Sequence, residues 1–198
     1  KIIFKIEESD TGDETMNQLL KVIQDRLKVS GMSGIQIGVQ EKNEFFVVIP
    51  EFESSERLSN LVIGSGNMDF KKVKNPSDWS IDKISEFYLD PEKWESTGVG
   101  LSDMQGFKYF ISPNGSAGLQ LAFTPEGRKR FYEVASENIG LPIGVFVNDS
   151  QYPILMPVIS EDILTNTNFD PSVTGTFSEQ AVNDINLQLK NPLPVRVS

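Results

Sequence analysis

Apolar positions along the chain switch between two periods, and each switch marks an element. Ile2, Ile3, Phe4 and Ile6 make a short apolar run between Lys1 and Glu7 that predicts a strand. Met16, Leu19, Leu20, Ile23 and Leu27 then recur at i, i+3, i+4, i+7 and i+11, the stripe of an amphipathic helix. Thr11 and Glu14 are spaced to cap that helix reciprocally, and Gly31 supplies its stop. Ile35, Ile37 and Val39 alternate with polar or small residues, Glu41 to Glu44 makes a polar turn, and Phe45 to Ile49 returns as the second arm of a hairpin ended by Pro50. Ser54 is placed to cap a short helix carrying Leu58, Leu61 and Val62, which Gly64 closes, and Met68 to Val73 reads as a fourth strand.

Strand, helix, strand, strand, helix, strand over residues 1–73 is the order of a ferredoxin-like unit. From Lys74 to Gly98 the composition shifts to Asn, Pro, Ser and Asp, which predicts a connector with a short helix bearing Ile81, Ile84 and Tyr88, pinned by Trp79 and Trp94. A second block begins where Leu119, Leu121 and Phe123 alternate into Thr124-Pro125-Glu126, a cap followed by proline in the first helical turn. Phe131, Val134, Ala135 and Ile139 form the apolar face of that helix, and Gly140 ends it. Strands over Ile143 to Val147 and Ile154 to Ile159 flank the turn Asn148-Asp149-Ser150, and a polar loop leads to Ser172 to Thr176. Ser178 then caps a helix with Ala181, Ile185 and Leu189 on one face, and Pro192 and Pro194 forbid its continuation. The fold class is α+β.

Composition narrows the chemistry. With 38% hydrophobic and 10% aromatic residues the 198-residue chain has the material for real cores. Its net charge of −10 repels a phosphate backbone, so nucleic acid is not an expected partner. The sequence has neither Cys nor His, which removes disulfides, thiolate nucleophiles, Ser-His-Asp arrangements and the commonest metal ligand. An enzyme is not expected, and neither is a cofactor or a metal. No stretch approaches the roughly 20 apolar residues of a membrane-spanning helix, and the start at Lys1 without an initiator Met reads as a fragment.

The sharper motifs dissolve on inspection. Gly64-Ser-Gly-Asn67 follows a helix and precedes a strand, the reverse of a phosphate-binding turn, and is read as a helix C-cap. Asn166-x-Asn168-x-Asp170 has alternating oxygen ligands but lacks the glycine and the distal glutamate of a calcium loop. Asp10, Asp13 and Glu14 sit at a helix start, where the dipole alone accounts for them. The aromatics Phe107, Tyr109, Phe110 and Tyr152, with Leu155, are the candidates for a surface that makes loose, sequence-tolerant apolar contacts.

Several segments occur in the order of a known family. Gln18 to Gly31, the strand ending Phe46-Val-Val-Ile-Pro50 and Met68-Asp-Phe-Lys-Lys-Val73 resemble the first half of the SecD pattern. Leu121-Ala-Phe-Thr-Pro-Glu-Gly127, Asn138-Ile-Gly140, Pro157-Val-Ile159, Gly175-Thr-Phe-Ser-Glu-Gln-Ala181 and Leu193-Pro-Val195 resemble the second half. The likeness spans nearly the whole chain except about 75–97, and Lys190-Asn191-Pro192 and Asn148-Asp149-Ser150 depart from it.

The resemblance implies an extracytoplasmic domain of a cell-membrane protein that works beside a SecYEG-type channel, with a SecF-like half or subunit, and uses the proton gradient to draw unfolded preprotein outward. It implies a base of residues 1–73 with 172–198, ferredoxin-like, carrying an inserted α/β head of residues 99–171 after the 74–98 connector. The crossings at Val99 and Gly100 and at Ser172 and Val173 are then the expected hinge. The rival expectation is a membrane-anchored extracellular module that binds peptide or glycan.

Overall fold

The computed structural model describes residues 1–8, 11–50 and 54–198. The first part of the chain forms β1 (Ile2–Lys5), α1 (Asp13–Val29), β2 (Gln36–Glu41), β3 (Glu44–Val48) and α2 (Ser55–Ile63). Then follow β4 (Met68–Val73), α3 (Ile84–Leu89), β5 (Trp94–Gly100), β6 (Met104–Ile111), β7 (Ala117–Phe123), α4 (Pro125–Glu137) and β8 (Ile143–Val147). The chain closes with β9 (Ser172–Thr174) and α5 (Glu179–Lys190). Two compact units result: Lys1–Gly66 with Asn183–Ser198, and Asn67–Val182.

In the first unit β3 is the centre of an antiparallel sheet of order β1-β3-β2. Phe4 faces Phe45 in register, and their rings stack at 5.4 Å. The α1 stripe lies on this sheet as its spacing requires, burying Met16, Leu19, Ile23 and Leu27. Its cap differs from expectation. The helix starts after Gly12 with no side-chain cap, and the Thr11 hydroxyl is buried without a hydrogen-bond partner among the described residues. Asp10, part of the acidic cluster read at this start, lies outside the described residues. Ser54 caps α2 as expected, accepting from the Arg57 amide at 3.3 Å.

The fourth strand corrects the ferredoxin-like expectation. β4 does not join β1; it pairs with β5 and β8 in the second unit, because its Phe70 packs against Phe123 and Phe131 at 5.5 and 5.7 Å. The flank of β1 is taken instead by the end of the chain. Lys5 and Ser198 exchange backbone hydrogen bonds of 2.8 and 2.9 Å, Ile6 bridges Val197 antiparallel, and Val195 and Val197 enter the core.

One buried side chain ties that end down. The Arg26 guanidinium is fully buried and donates to the carbonyls of Leu61 (2.9 Å), Gly64 (2.6 Å), Gln188 (3.4 Å) and Asn191 (2.5 and 2.9 Å). These are acceptors at the C-terminal ends of α2 and α5, where carbonyls run short of intrahelical donors and the helix dipole is negative. Burial pulls its pKa down to about 10, so it is still a cation at neutral pH. Nearby, Arg57 grips Asp184 through two bonds of 2.7 and 2.8 Å. Gly66 has φ +81° and passes so close to this layer that a Cβ there would lie 2.4 Å from the Gln188 carbonyl oxygen.

The second unit holds two three-stranded sheets, β5-β4-β8 and β6-β7-β9. Three strand expectations change here. Residues 94–98, assigned to the connector, form β5 together with Val99 and Gly100, hydrogen-bonded to β4. Met104–Ile111 is the strand β6. Ile154 to Ile159 runs beside β8 through isolated bridges, Val145 to Leu155 and Pro142 to Val158, because Pro153 and Pro157 lack the amides a continuous ladder requires. Ser178 caps α5 through the Ala181 amide at 3.1 Å, but Ala181 itself is exposed while Val182, Leu187 and Leu189 are buried.

Replacing Arg26 with Met leaves several buried carbonyls without a donor and is expected to cost about 3 kcal/mol. Urea unfolding of the variant measures this. Gly66→Ala should destabilise in the same assay, and a midpoint equal to that of the wild type for either change would contradict the packing described.

Candidate functional site

The segment Leu121 to Gly127 sets the architecture of the second unit. β7 delivers Phe123 to the core, Thr124 accepts from the Gly127 amide at 3.0 Å, and Pro125 opens α4. Gly127 is required by contact: a Cβ there would lie 2.1 Å from the Asp103 carbonyl oxygen. The same oxygen accepts from the Thr124 amide at 2.8 Å. The Asp103 carboxylate is buried and accepts from Arg130 and from the Gly100 amide. Arg128 reaches the other way, pairing with Asp170 at 2.8 Å and donating to the Asn168 carbonyl at 3.1 Å. The two arginines of α4 therefore fasten two separate loops. Tyr132 adds a bond from its hydroxyl to the Phe169 carbonyl at 2.8 Å, and burial pushes its pKa up, so it stays a donor at neutral pH.

What these fastenings frame is an apolar groove of about 330 Å³. Leu121, Phe131, Pro157, Val158, Ile163 and Val173 line it. Its polar members are Ser160, Asp162 and Ser172. Among the described residues no group of acidic side chains is arranged to hold a metal ion. Asp170, from the motif with a calcium-like rhythm, is already held by Arg128 and by the Phe123 amide.

The residues singled out in the sequence divide among several places. Phe107 faces Leu121 across the β6–β7 ladder, and Tyr109 faces Leu119, which also faces Val173 on β9. Directly opposed residues share a sheet face, so Phe107 and Tyr109 stand on the side that carries the groove. Phe107 is only 4% exposed and serves as core, whereas Tyr109 is half-buried. Phe110 is on the opposite face, its ring lying over Gly118. Leu155 is buried beside β8, just before the run Pro157 to Ile159 that forms one wall of the groove.

Tyr152 is exposed and stacks on Tyr88 at 6.2 Å. Sequence periodicity did not single out the groove walls at Val158, in the proline-interrupted run beside β8, and at Ile163, in the 3-10 turn Glu161–Asn166. The expected hinge positions are ladder positions: Gly100 pairs with Asp69, Ser172 and Val173 pair with Gln120 and Leu119, and Val99 is a buried residue of β5. All four lie within one unit, while the chain passes between units at Gly66–Asn67 and Val182–Asn183.

A family model described as the SecDF P1 head subdomain matches residues 90–195, more than half of the chain. The chain belongs to the SecDF family. It is similar to the protein translocase subunit SecDF of Thermus thermophilus, at 25% identity over 96% of this chain and 29% of that protein. It is also similar to the protein translocase subunit SecD of Rhodobacter capsulatus, at 22% identity over 96% of this chain and 36% of that protein. This SecDF-family chain thus spans about a third of the length of these relatives. Two solved structures share its fold: SecDF in a super-membrane-facing form, with a TM-score of 0.70 and 19% identity over 100% of this chain and 29% of that one, and a structure of SecDF described as a membrane component that enhances protein export, with a TM-score of 0.67 and 21% identity over 100% and 96%. Among its described residues the chain has no helix long and apolar enough to cross a membrane.

Gly127→Ala tests the framing of the groove. The added methyl must displace the Asp103 backbone, an overpacking expected to cost about 3 kcal/mol. Loss of thermal stability measured by circular dichroism is the expected outcome.

Proposed function

We infer that this domain lies on the extracytoplasmic side of the cell membrane and transiently holds segments of unfolded preprotein during export driven by the proton gradient. The SecYEG-type channel and a SecF-like half or subunit act with it through membrane segments of the same protein. The observation that carries this reading is the groove between the β6-β7-β9 sheet and residues 157–163, in the unit where most of the head match falls. It is apolar along most of its lining, and it is framed by salt bridges that leave few polar groups pointing inward. Such a surface suits loose contact with many apolar sequences, since hydrophobic attraction is non-directional. Tyr109 extends the same sheet face, so the candidate contact set becomes Tyr109, Val158, Ile163 and Val173.

The first unit is read as the base, a ferredoxin-like arrangement in which the chain end at Arg196 to Ser198 takes the place of the fourth strand. The relatives are translocase subunits by description, which favours this function over a separately anchored peptide- or glycan-binding module.

Photo-crosslinking in the full-length protein tests the proposal. A crosslinker at Val158 or Val173 should capture an arrested export intermediate, and one at the exposed Gln24 of α1 should not. Capture confined to positions in residues 1–66 would sink it.

A further inference from the structure

The segment between β4 and β5 is built to display apolar side chains. It contains three 3-10 turns, Pro76–Asp78, Ile81–Lys83 and Pro91–Lys93, and the six-residue helix α3. A helix this short has no stability of its own in water, so something else holds it. Phe87 does: it is 1% exposed and meets Trp79 edge-on at 5.1 Å and Trp94 at 6.2 Å, in a cluster with Val73 and Phe146. Trp94 donates to the Phe87 carbonyl at 2.7 Å, and Trp79 to the Gly140 carbonyl at 3.1 Å. Around this anchor every other apolar residue of the segment's helical part points outward. Ile81 is 63% exposed, Ile84 41%, Tyr88 45% and Leu89 63%. Ile81, Ile84 and Tyr88 fall at i, i+3 and i+7, one stripe, and Tyr88 continues it onto the exposed Tyr152 by stacking at an interplanar angle of 10°.

From Lys74 to Lys93 the segment carries five carboxylates against three lysines. Lys93 is committed to Glu86 at 3.4 Å and to the ring of Phe87, and Lys83 reaches the Asp78 carbonyl at 3.4 Å. The carboxylates of Asp78, Asp82, Asp90 and Glu92 have no ion-pair partner among the described residues. Exposed tyrosine faces also attract cations. Two independent features therefore select positive charge beside an apolar anchor.

We propose that the Ile81, Ile84, Tyr88 and Tyr152 surface is a second docking site for the unfolded polypeptide, and that it takes apolar segments carrying lysine or arginine. This rests on the reading that the domain holds unfolded chains, but it concerns a face separate from the groove, and it adds a charge preference the groove does not have.

Two short labelled peptides, alternating leucine with lysine and leucine with glutamate, are titrated with the 198-residue domain, and fluorescence anisotropy is read. The lysine peptide should bind at least about tenfold more tightly than the glutamate peptide. The double change Ile84→Ser with Tyr88→Ser, at exposed positions where folding is preserved, should weaken the lysine peptide about tenfold. Asp82→Lys with Glu92→Lys should reduce or reverse the preference without touching the apolar stripe. If the lysine peptide binds but only Val158→Asp or Ile163→Asp in the groove weakens it, polypeptide binding stands and this second site falls. Equal affinity for the two peptides also overturns it. If neither peptide binds the wild-type domain, the reading of unfolded-chain binding fails, and this proposal fails with it.

Discussion

A buried arginine that finds only carbonyl oxygens sets the constraint on which the first unit depends. Desolvating a guanidinium is costly unless its donors are all satisfied. Arg26 meets that condition only when the C-terminal ends of α2 and α5 are both beside it. The first of these is made early in the chain and the second at its very end, so the interaction cannot form until residues 183–198 return. The same return supplies Leu187, Val195 and Val197 to the core begun by Phe4, Leu19 and Phe45. Everything from Asn67 to Val182 is therefore an excursion between two segments that must come together.

Within that excursion the electrostatic logic differs. α4 carries arginines at 128 and 130 whose partners are carboxylates, Asp170 and Asp103, and Gly127 lets its first turn close on the Asp103 backbone. The polar groups that distinguish the Leu121 to Arg130 segment are consumed in fastening loops. What remains facing the groove is mostly side-chain hydrocarbon from strands, loop and helix, with Ser160, Asp162 and Ser172 as its polar members. The residues of such a surface are better understood by shape and apolarity than by motif.

The sequence disclosed this arrangement unevenly, for physical reasons. Periodicity located α1, α2 and α4 because each buries a single stripe, and the caps at Ser54, Thr124 and Ser178 follow from local hydrogen bonding that needs no tertiary context. Thr11 failed because the cap position falls one residue later, at Gly12. β5 escaped notice because Trp94 to Gly100 contains two glycines and no alternation. The partner of β4 was not legible at all: Met68, Phe70 and Val73 announce a strand with a buried face, but the identity of the sheet is decided by Phe123 and Phe131, more than fifty residues away in sequence. Among the candidate contact residues, aromatic type alone could not separate Phe107, which is core, from Tyr109 beside it.

The connector shows the same ambiguity from the other side. Ile81, Ile84 and Tyr88 have the spacing that elsewhere in this chain means burial, yet here the stripe is in water and the buried residue is Phe87, one position off it. A helical period states that residues share a face; it does not state that the face is inward. The decision is made by what the rest of the fold offers, and in this segment Trp79, Trp94 and Phe146 offer a socket for one ring only. Once Phe87 fills it, rotation of the helix is fixed and the isoleucines have nowhere to go but out. Exposure here is thus an outcome of strong anchoring rather than of loose packing, and the backbone that presents these side chains has already lost freedom that a partner would otherwise have to remove on binding.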